Sequence, residues 1–392
     1  MKYSLCAISA IALTMLATSC GNSSKGNAGL SDNYIDLTPA FGGPKVDLAS
    51  IIDTAYLLPL DNSEDALLGL ISSIAFGKDN IALLTGYPDY GISFFDKDGK
   101  FLRRYGTGSG PGEVSYAFRI IYSGNTDRFI MYDASEQLKL YDGNGNYVDS
   151  KVVPYSVSVF QSATLGDELI FGVMPFIRND KLGAYSECRI IVTDMDINFR
   201  KGFAPTPTDS IDSEYLLVQS SPLVTTSKGV YFTAPHSDEL YRYDGDSVAL
   251  IELEYPQKIN YEGRPSGNTA AYEYETSQKG YLFSNLQIVN GVWLFQFYYG
   301  ATDEQVSIVR DAATGAVSQI DCGGLSPAEN TSIGDFLVAP IYFDDLEEKM
   351  PFFEKILSPA DAERLNKMTD DDNNMLLFYR ISGKRVSEIS QK

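Results

Sequence analysis

Apolar and polar positions alternate in short runs along most of the chain, and the runs come in pairs joined by turns of Asp, Asn and Gly. Alternation at a period of two, broken by residues that accept tight backbone reversals, is the pattern of a β-hairpin. The first such hairpin spans Ile92–Tyr105 and turns at Asp96, Lys97, Asp98 and Gly99. A second spans Gln137–Val153 and turns at Asp142–Gly145. A third spans Arg189–Phe203, with Asp194, Asp196 and Asn198 at its turn. The fourth, Glu239–Leu253, turns at Asp244–Asp246, and the fifth, Val306–Ile320, at Asp311–Gly315. A sixth copy is read over Met375–Ile389, turning at Ser382 and Gly383.

Two further strand-like runs precede each of the first five hairpins: 70–76 and 80–85, 119–123 and 128–133, 157–163 and 168–173, 216–224 and 229–234, 282–289 and 292–299. Four strands repeating about every 45 to 65 residues predict a β-propeller, and six copies predict six blades. Small twisted sheets cannot bury their faces alone, so they stack around an axis. The 26 Tyr and 21 Phe suit such stacking, and a single Trp argues against WD-type repeats. The expected fold is all-β, a six-bladed β-propeller of four-stranded antiparallel blades over residues 33–392, with a short helical insertion in the last blade. The insertion is read from helical periodicity over 344–357 and from Ser358, Pro359 and Asp361, a cap, a first-turn proline and an acid. Another insertion, 255–279, separates the fourth and fifth units. Two runs before the first unit, Asn33–Leu37 and Ile51–Leu60, are strand-like, and at least one is expected to join the last blade and close the ring.

The first 19 residues depart from this pattern. Lys2, an apolar core over Leu5–Leu16 and small residues 17–19 ahead of Cys20 predict a cleaved export signal. The core is too short to span a bilayer, and no later run reaches about 18 apolar residues. Small residues ending on a cysteine resemble the lipobox of bacterial lipoproteins, in which Cys20 becomes the lipidated first residue. Residues 20–32 then form a flexible tether rich in Gly, Ser and Asn. With Cys6 in the signal and Cys20 lipidated, Cys188 and Cys322 remain, and two free thiols are favoured over a disulfide.

The formal charge of −21 becomes −22 once Lys2 leaves with the signal. Such a field repels nucleic acid, and no Lys/Arg stripe offsets it, so nucleic acid is excluded as a partner.

The run Gly106-Thr107-Gly108-Ser109-Gly110-Pro111-Gly112-Glu113-Val114 resembles the glycine-rich GPGE signature of the six-bladed β-propeller lipoproteins of Bacteroidetes, close to the NHL-related group. Residues 51–60 followed by 68–74 resemble the opening of that family, and 372–379 its closing strand. The resemblance covers the mature chain and implies the propeller fold and a lipid anchor. It implies no activity, because most members have none assigned. Gly21–Lys25 lacks the acidic pair associated with surface export in this group, which points to an outer membrane facing the periplasm.

Candidate chemistry is sparse. The glycine-rich loop is followed by neither Lys-Ser/Thr nor a helix within a βαβ unit, so it is read as a structural crossing between blades rather than a phosphate cradle. In it, Glu113 is placed to accept hydrogen bonds from backbone or from Arg104. His236 is the sole histidine and is read as an ordinary loop residue. Asp370–Asn374 hints at calcium but lacks the following Gly and Glu, and is read as a solvated turn. No metal or cofactor is expected. Asp89, Glu168 and Asp303 are carboxylates that could meet over a central channel as an acid/base pair. Tyr87, Asp89, Tyr90, His236, Tyr298 and Tyr299 are candidates to face a protein, peptide or glycan ligand. The leading expectation is a membrane-anchored binding module. Its rivals are a propeller lyase or hydrolase and a structural subunit of an outer-membrane complex.

Overall fold

The computed structural model describes residues 33–390 apart from 87–89, 175–176, 206–222, 234–238, 261–262, 264, 266–269, 271–272, 275–276 and 301–303. Six antiparallel sheets are laid down in chain order, each starting with its innermost strand. Blade 1 contains Ile71–Phe76, Asn80–Thr85, Gly91–Asp96 and Phe101–Tyr105; blade 2 contains Ile120–Ser123, Arg128–Asp133, Gln137–Asp142 and Tyr147–Val152. Blade 3 contains Ser162–Leu165, Glu168–Gly172, Cys188–Asp194 and Phe199–Pro205; blade 4 contains Val224–Thr226, Gly229–Thr233, Glu239–Tyr243 and Val248–Glu254. Blade 5 contains Tyr281–Val289, Val292–Tyr299, Glu304–Asp311 and Val317–Asp321. Blade 6 takes three strands from the C-terminal region, Thr331–Ile333, Phe336–Ile341 and Met375–Ile381, and its outer strand, Ile52–Pro59, from the other end of the described chain.

That outer strand closes the ring, with Leu57 opposite Leu377 and Ala55 opposite Tyr379. The sixth hairpin therefore does not form within 375–389. After Ile381 the chain enters a helix, Gly383–Ser390, where the Val386 amide donates to the Ser382 carbonyl at 3.1 Å. Val386 is buried and Ile389 packs beside it, a spacing of three that suits a helix face and not a strand. The other early run, Tyr34–Asp36, lies parallel to Val248–Glu254 as a fifth strand on blade 4, and Val46–Asp47 does the same on blade 5. One N-terminal segment thus touches three consecutive blades.

Buried apolar side chains gather in six clusters, one at each seam between neighbouring blades. Strand periodicity makes this possible. In Asn80–Thr85, Ala82 and Leu84 pack toward blade 2, while Ile81 and Leu83 pack toward blade 6. Consecutive Phe94 and Phe95 likewise enter different seams. The predicted inner strand of blade 3 begins later than its apolar run, at Ser162. Val157 and Val159 precede it in a loop and fill the seam with blade 2. The helical insertion of blade 6 comprises Leu346–Ile356 and Pro359–Asn366; Ser358 caps the second, its Oγ accepting from the Asp361 amide at 3.2 Å. Among the described residues no helix is long and apolar enough to cross a membrane.

Asp370–Asn374 is less solvated than its composition suggests. Asn373 and Asn374 are buried, and Asn373 Nδ2 donates to the carbonyls of Asp61 and Ala66 at 2.9 and 2.8 Å. The pair of amides satisfies the backbone of the connection from blade 6 to blade 1. Most of that connection is exposed, and it is the buried Asn373 and Asn374 side chains beneath it that find their partners in its carbonyls.

Candidate functional site

In sheets built from sequential antiparallel strands, the connections between second and third strands and the crossings between blades emerge on the same face of the disc. This crossover face carries the glycine-rich loop, Tyr90, and the ends of Tyr298 and Tyr299. The loop Gly106–Val114 closes upon itself. Gly108 N donates to the Val114 carbonyl at 2.9 Å, Val114 N to Gly106 at 3.0 Å and Glu113 N to Gly110 at 3.1 Å. The Glu113 carboxylate folds back to accept from the Gly110 amide at 2.8 Å. A Cβ on Gly108 would stand 2.0 Å from Glu113 Oε2, so residue 108 must be glycine for that fold. With these amides consumed internally, they are not available to cradle a phosphate. Arg104 points elsewhere, Nη1 donating to the Leu67 carbonyl at 3.1 Å.

Directly after this loop come Tyr116, Phe118 and Arg119. Tyr90 lies 5.1 Å from Tyr116 between ring centroids, Tyr116 lies 4.6 Å from Phe118, and Phe118 lies 4.4 Å from Phe160. The four rings form a partly exposed strip contributed by blade 1 and by the entries to blades 2 and 3. Tyr116 is 42% exposed although it is a large aromatic.

Arg119 turns into the axial channel. Its Nε donates to the Ser162 carbonyl at 3.0 Å and its Nη2 to the Leu223 carbonyl at 3.3 Å, spanning blade 3 and the entry to blade 4. Among the described residues no carboxylate pairs with it. Burial pulls its pKa down to about 10, which still leaves the guanidinium cationic at neutral pH. The channel is a cavity of about 270 Å³ walled by the inner strands of all six blades. Besides Arg119, its wall includes Thr225, Gln287, Glu329, Asn330 and Thr331. Glu329, on the blade 5 and 6 side, accepts from Asn285 Nδ2 at 3.2 Å.

The sequence-based candidates divide by place. Tyr90 belongs to the aromatic strip. Tyr298 is joined to Gln305 at 3.2 Å, and burial together with the Glu329 charge raises its pKa, which puts it on the Glu329 side. Tyr299 packs on Tyr281 with centroids 4.9 Å apart. Glu168 is not in the channel; it sits in the seam of blades 3 and 4, accepting from Tyr243 OH at 2.7 Å, with Arg200 3.6 Å away. Cys20, Tyr87, Asp89, His236 and Asp303 lie outside the described residues. Cys188 and Cys322 are free thiols, one in blade 3 and one just after blade 5. Among the described residues no group of three His, Cys, Asp or Glu side chains is placed to hold a metal ion. Sequence reasoning missed Arg119, counted as the first residue of a strand, and with it Tyr116, Phe118 and Phe160. The available signal was the run Tyr116-Ala117-Phe118-Arg119, two large aromatics and an arginine between a turn-rich loop and a strand.

The family model described as "Domain of unknown function (DUF4934)" matches residues 33–380. No curated protein matches the chain significantly. Among solved structures, a Bacteroides fragilis protein described as exported is 17% identical, covering 89% of this chain and 99% of its own, with a TM-score of 0.67. At that identity the likeness is one of fold. PorZ, a surface component of the type-IX secretion system of Porphyromonas gingivalis, is 10% identical over 69% of this chain and 32% of its own, with a TM-score of 0.37. BamB from Moraxella catarrhalis is 12% identical over 81% and 84%, with a TM-score of 0.36.

Proposed function

The chain belongs to the DUF4934 family, and from that membership and the geometry of its crossover face we propose that it is a binding module of the cell envelope. Residues 1–19 act as the export signal, Cys20 carries the lipid, residues 20–32 form the tether, and the propeller over 33–392 is held at the outer membrane facing the periplasm. The Bacteroides fragilis protein of the same fold is described as exported, which supports this location. Several acyl chains at Cys20 would anchor the domain stably, since each buried methylene contributes about 0.8 kcal/mol.

One observation carries the binding role: a partly exposed aromatic strip runs up to a channel whose guanidinium lacks a carboxylate partner among the described residues. Exposed rings beside convergent polar groups are what a recognition site needs. The lyase or hydrolase alternative needs two carboxylates within about 5 to 10 Å. The described channel wall offers Glu329.

A glycan and peptide array probed with the protein, and with Phe118→Ala and Tyr116→Ala, tests the reading. Binding that falls in both variants is expected; retained binding in both moves the site off this face. Cys20→Ala is expected to release the protein from membranes, and pull-down of the lipoprotein with a stable set of membrane proteins would favour the structural-subunit role instead.

A further inference from the structure

The geometry points to an acidic sugar, or another small polar ring bearing a carboxylate, as the ligand of the axial channel, with Arg119 reading its charge. This rests on the crossover face being the binding face. An arginine presents five N–H donors in a planar fork that matches a carboxylate edge to edge. In Arg119 two are spent on carbonyls, Ser162 O through Nε and Leu223 O through Nη2. These bonds hold the group in place without neutralising it, and both hydrogens of Nη1 remain. Arg119 is enclosed by protein yet keeps surface open to the cavity. Among the described residues Arg119 has no counter-ion in contact, since Glu329 of the same wall lies on the blade 5 and 6 side and is bonded to Asn285; a part-buried charge so placed gains from a ligand anion.

The rest of the wall narrows the class. Thr225 and Thr331 line the space, and their hydroxyls make no hydrogen bond to the described residues. Gln287 and Asn330 stand beside them, joined by a 2.6 Å bond from Gln287 Nε2 to the Asn330 carbonyl. The side-chain amides are largely spent, Gln287 Nε2 on the Asn330 carbonyl, Gln287 Oε1 on the Ile288 amide and Asn330 Nδ2 on Tyr379 OH, so the two threonine hydroxyls are what this part of the wall offers a hydroxylated ring. The cavity, about 270 Å³, lies just below the roughly 300 to 1,000 Å³ of sites for larger molecules. One ring fits it, and the strip Tyr90–Tyr116–Phe118–Phe160, whose Phe118 directly precedes Arg119 in the chain, offers aromatic surface to a second ring. The overall charge of −21 opposes anions at long range, but that field is screened beyond about 8 Å at physiological salt, whereas a contact inside the channel is not.

Calorimetry on the full-length protein with glucuronate and galacturonate, each against its neutral sugar and against inorganic phosphate, is the test. Saturable binding of a uronate is expected, about tenfold or more tighter than its neutral counterpart, with a similar loss in Arg119→Gln. Equal affinity for acid and neutral sugar, binding of phosphate alone, unchanged affinity in Arg119→Gln, or no binding of either uronate would each overturn the inference. The acid-to-neutral comparison needs no variant, and Thr225→Val supplies a milder one if Arg119→Gln does not fold. Binding of neutral glycans or peptides that is lost in Phe118→Ala would overturn the acidic ligand while leaving the crossover face as the binding surface.

Discussion

Asp133 and Lys139 face each other at 3.3 Å across the second and third strands of blade 2, their side chains 0% and 5% exposed. The pair lies beneath the glycine-rich crossing and holds it. Lys139 Nζ bonds the Glu113 carbonyl, and Asp133 Oδ2 accepts from the Ser115 amide at 2.8 Å. Lys139→Met would leave a buried carboxylate without its counter-charge, and a loss of about 3 kcal/mol is expected. Urea denaturation measures it; an unchanged midpoint would show that Ser115 and Ser135 alone satisfy Asp133.

Acid should unfold the ring through its aspartates. Burial works to raise the pKa of Asp133, but hydrogen bonds from Ser115 and Ser135 outweigh it and hold the group below its ordinary value. Asp142 is also lowered, bonds from Asn146 and Asn144 overcoming burial, and in Asp194 the Asn198 amide leads. A carboxyl depressed in the folded state stabilises above its unfolded pKa, about 3.9, and loses that contribution as pH falls through the folded value. Stability should hold or rise slightly from pH 7 to about 5 as self-repulsion relaxes, then fall below about pH 4. Urea midpoints measured stepwise from pH 7 to 3 check this, and a flat profile to pH 3 would contradict it.

The repeat's turn aspartate has a common task. Asp96 Oδ1 accepts from the amides of Asp98 and Lys100, Asp142 Oδ1 from Asn144 and Asn146, and Asp194 Oδ1 from Asp196 and Asn198, all at 2.8 to 2.9 Å. Asp142→Ala is expected to cost about 1 to 2 kcal/mol, since each bond contributes roughly 0.5 to 1.5. Gly145 in the same turn should be less tolerant. Its φ is +77°, and a Cβ there would fall 2.4 Å from the Phe94 ring of blade 1. Strain and overpacking together predict about 3 kcal/mol for Gly145→Ala. Thermal denaturation of the two variants should rank Gly145→Ala below Asp142→Ala, and the reverse order would remove the interblade contact from the explanation.

Ring closure depends on Ile52–Pro59. A chain starting at residue 61 lacks the partner of Met375–Ile381 and exposes the Leu377 side of the largest seam. It is expected to aggregate or stay unfolded, and to recover a cooperative transition when residues 33–60 are supplied in trans. Cooperative unfolding of the shortened chain alone, followed by circular dichroism, would show that the outer strand is dispensable.

Alternation and turn residues determined the architecture from the sequence by themselves. Every blade must bury both faces, so a period of two and a recurring Asp/Gly reversal are required wherever a blade forms, and five hairpins are where these signals place them. The helical insertion and the Ser358 cap are equally local and equally legible. What tertiary structure decided is everything that joins distant stretches. Ser382 and Gly383 look like one more turn, yet Ile52–Pro59 already occupies the edge that a returning strand would take, and Val386 finds a seam to fill as a helix. Asn373 and Asn374 read as a solvated turn until the blade 6 to blade 1 connection lies over them. Arg119 is the sharpest case. In the chain it is one polar residue before a strand, and its place on the wall of the axial cavity, paired with no carboxylate among the described residues, is created by six inner strands meeting at an axis, a relation that no local pattern records.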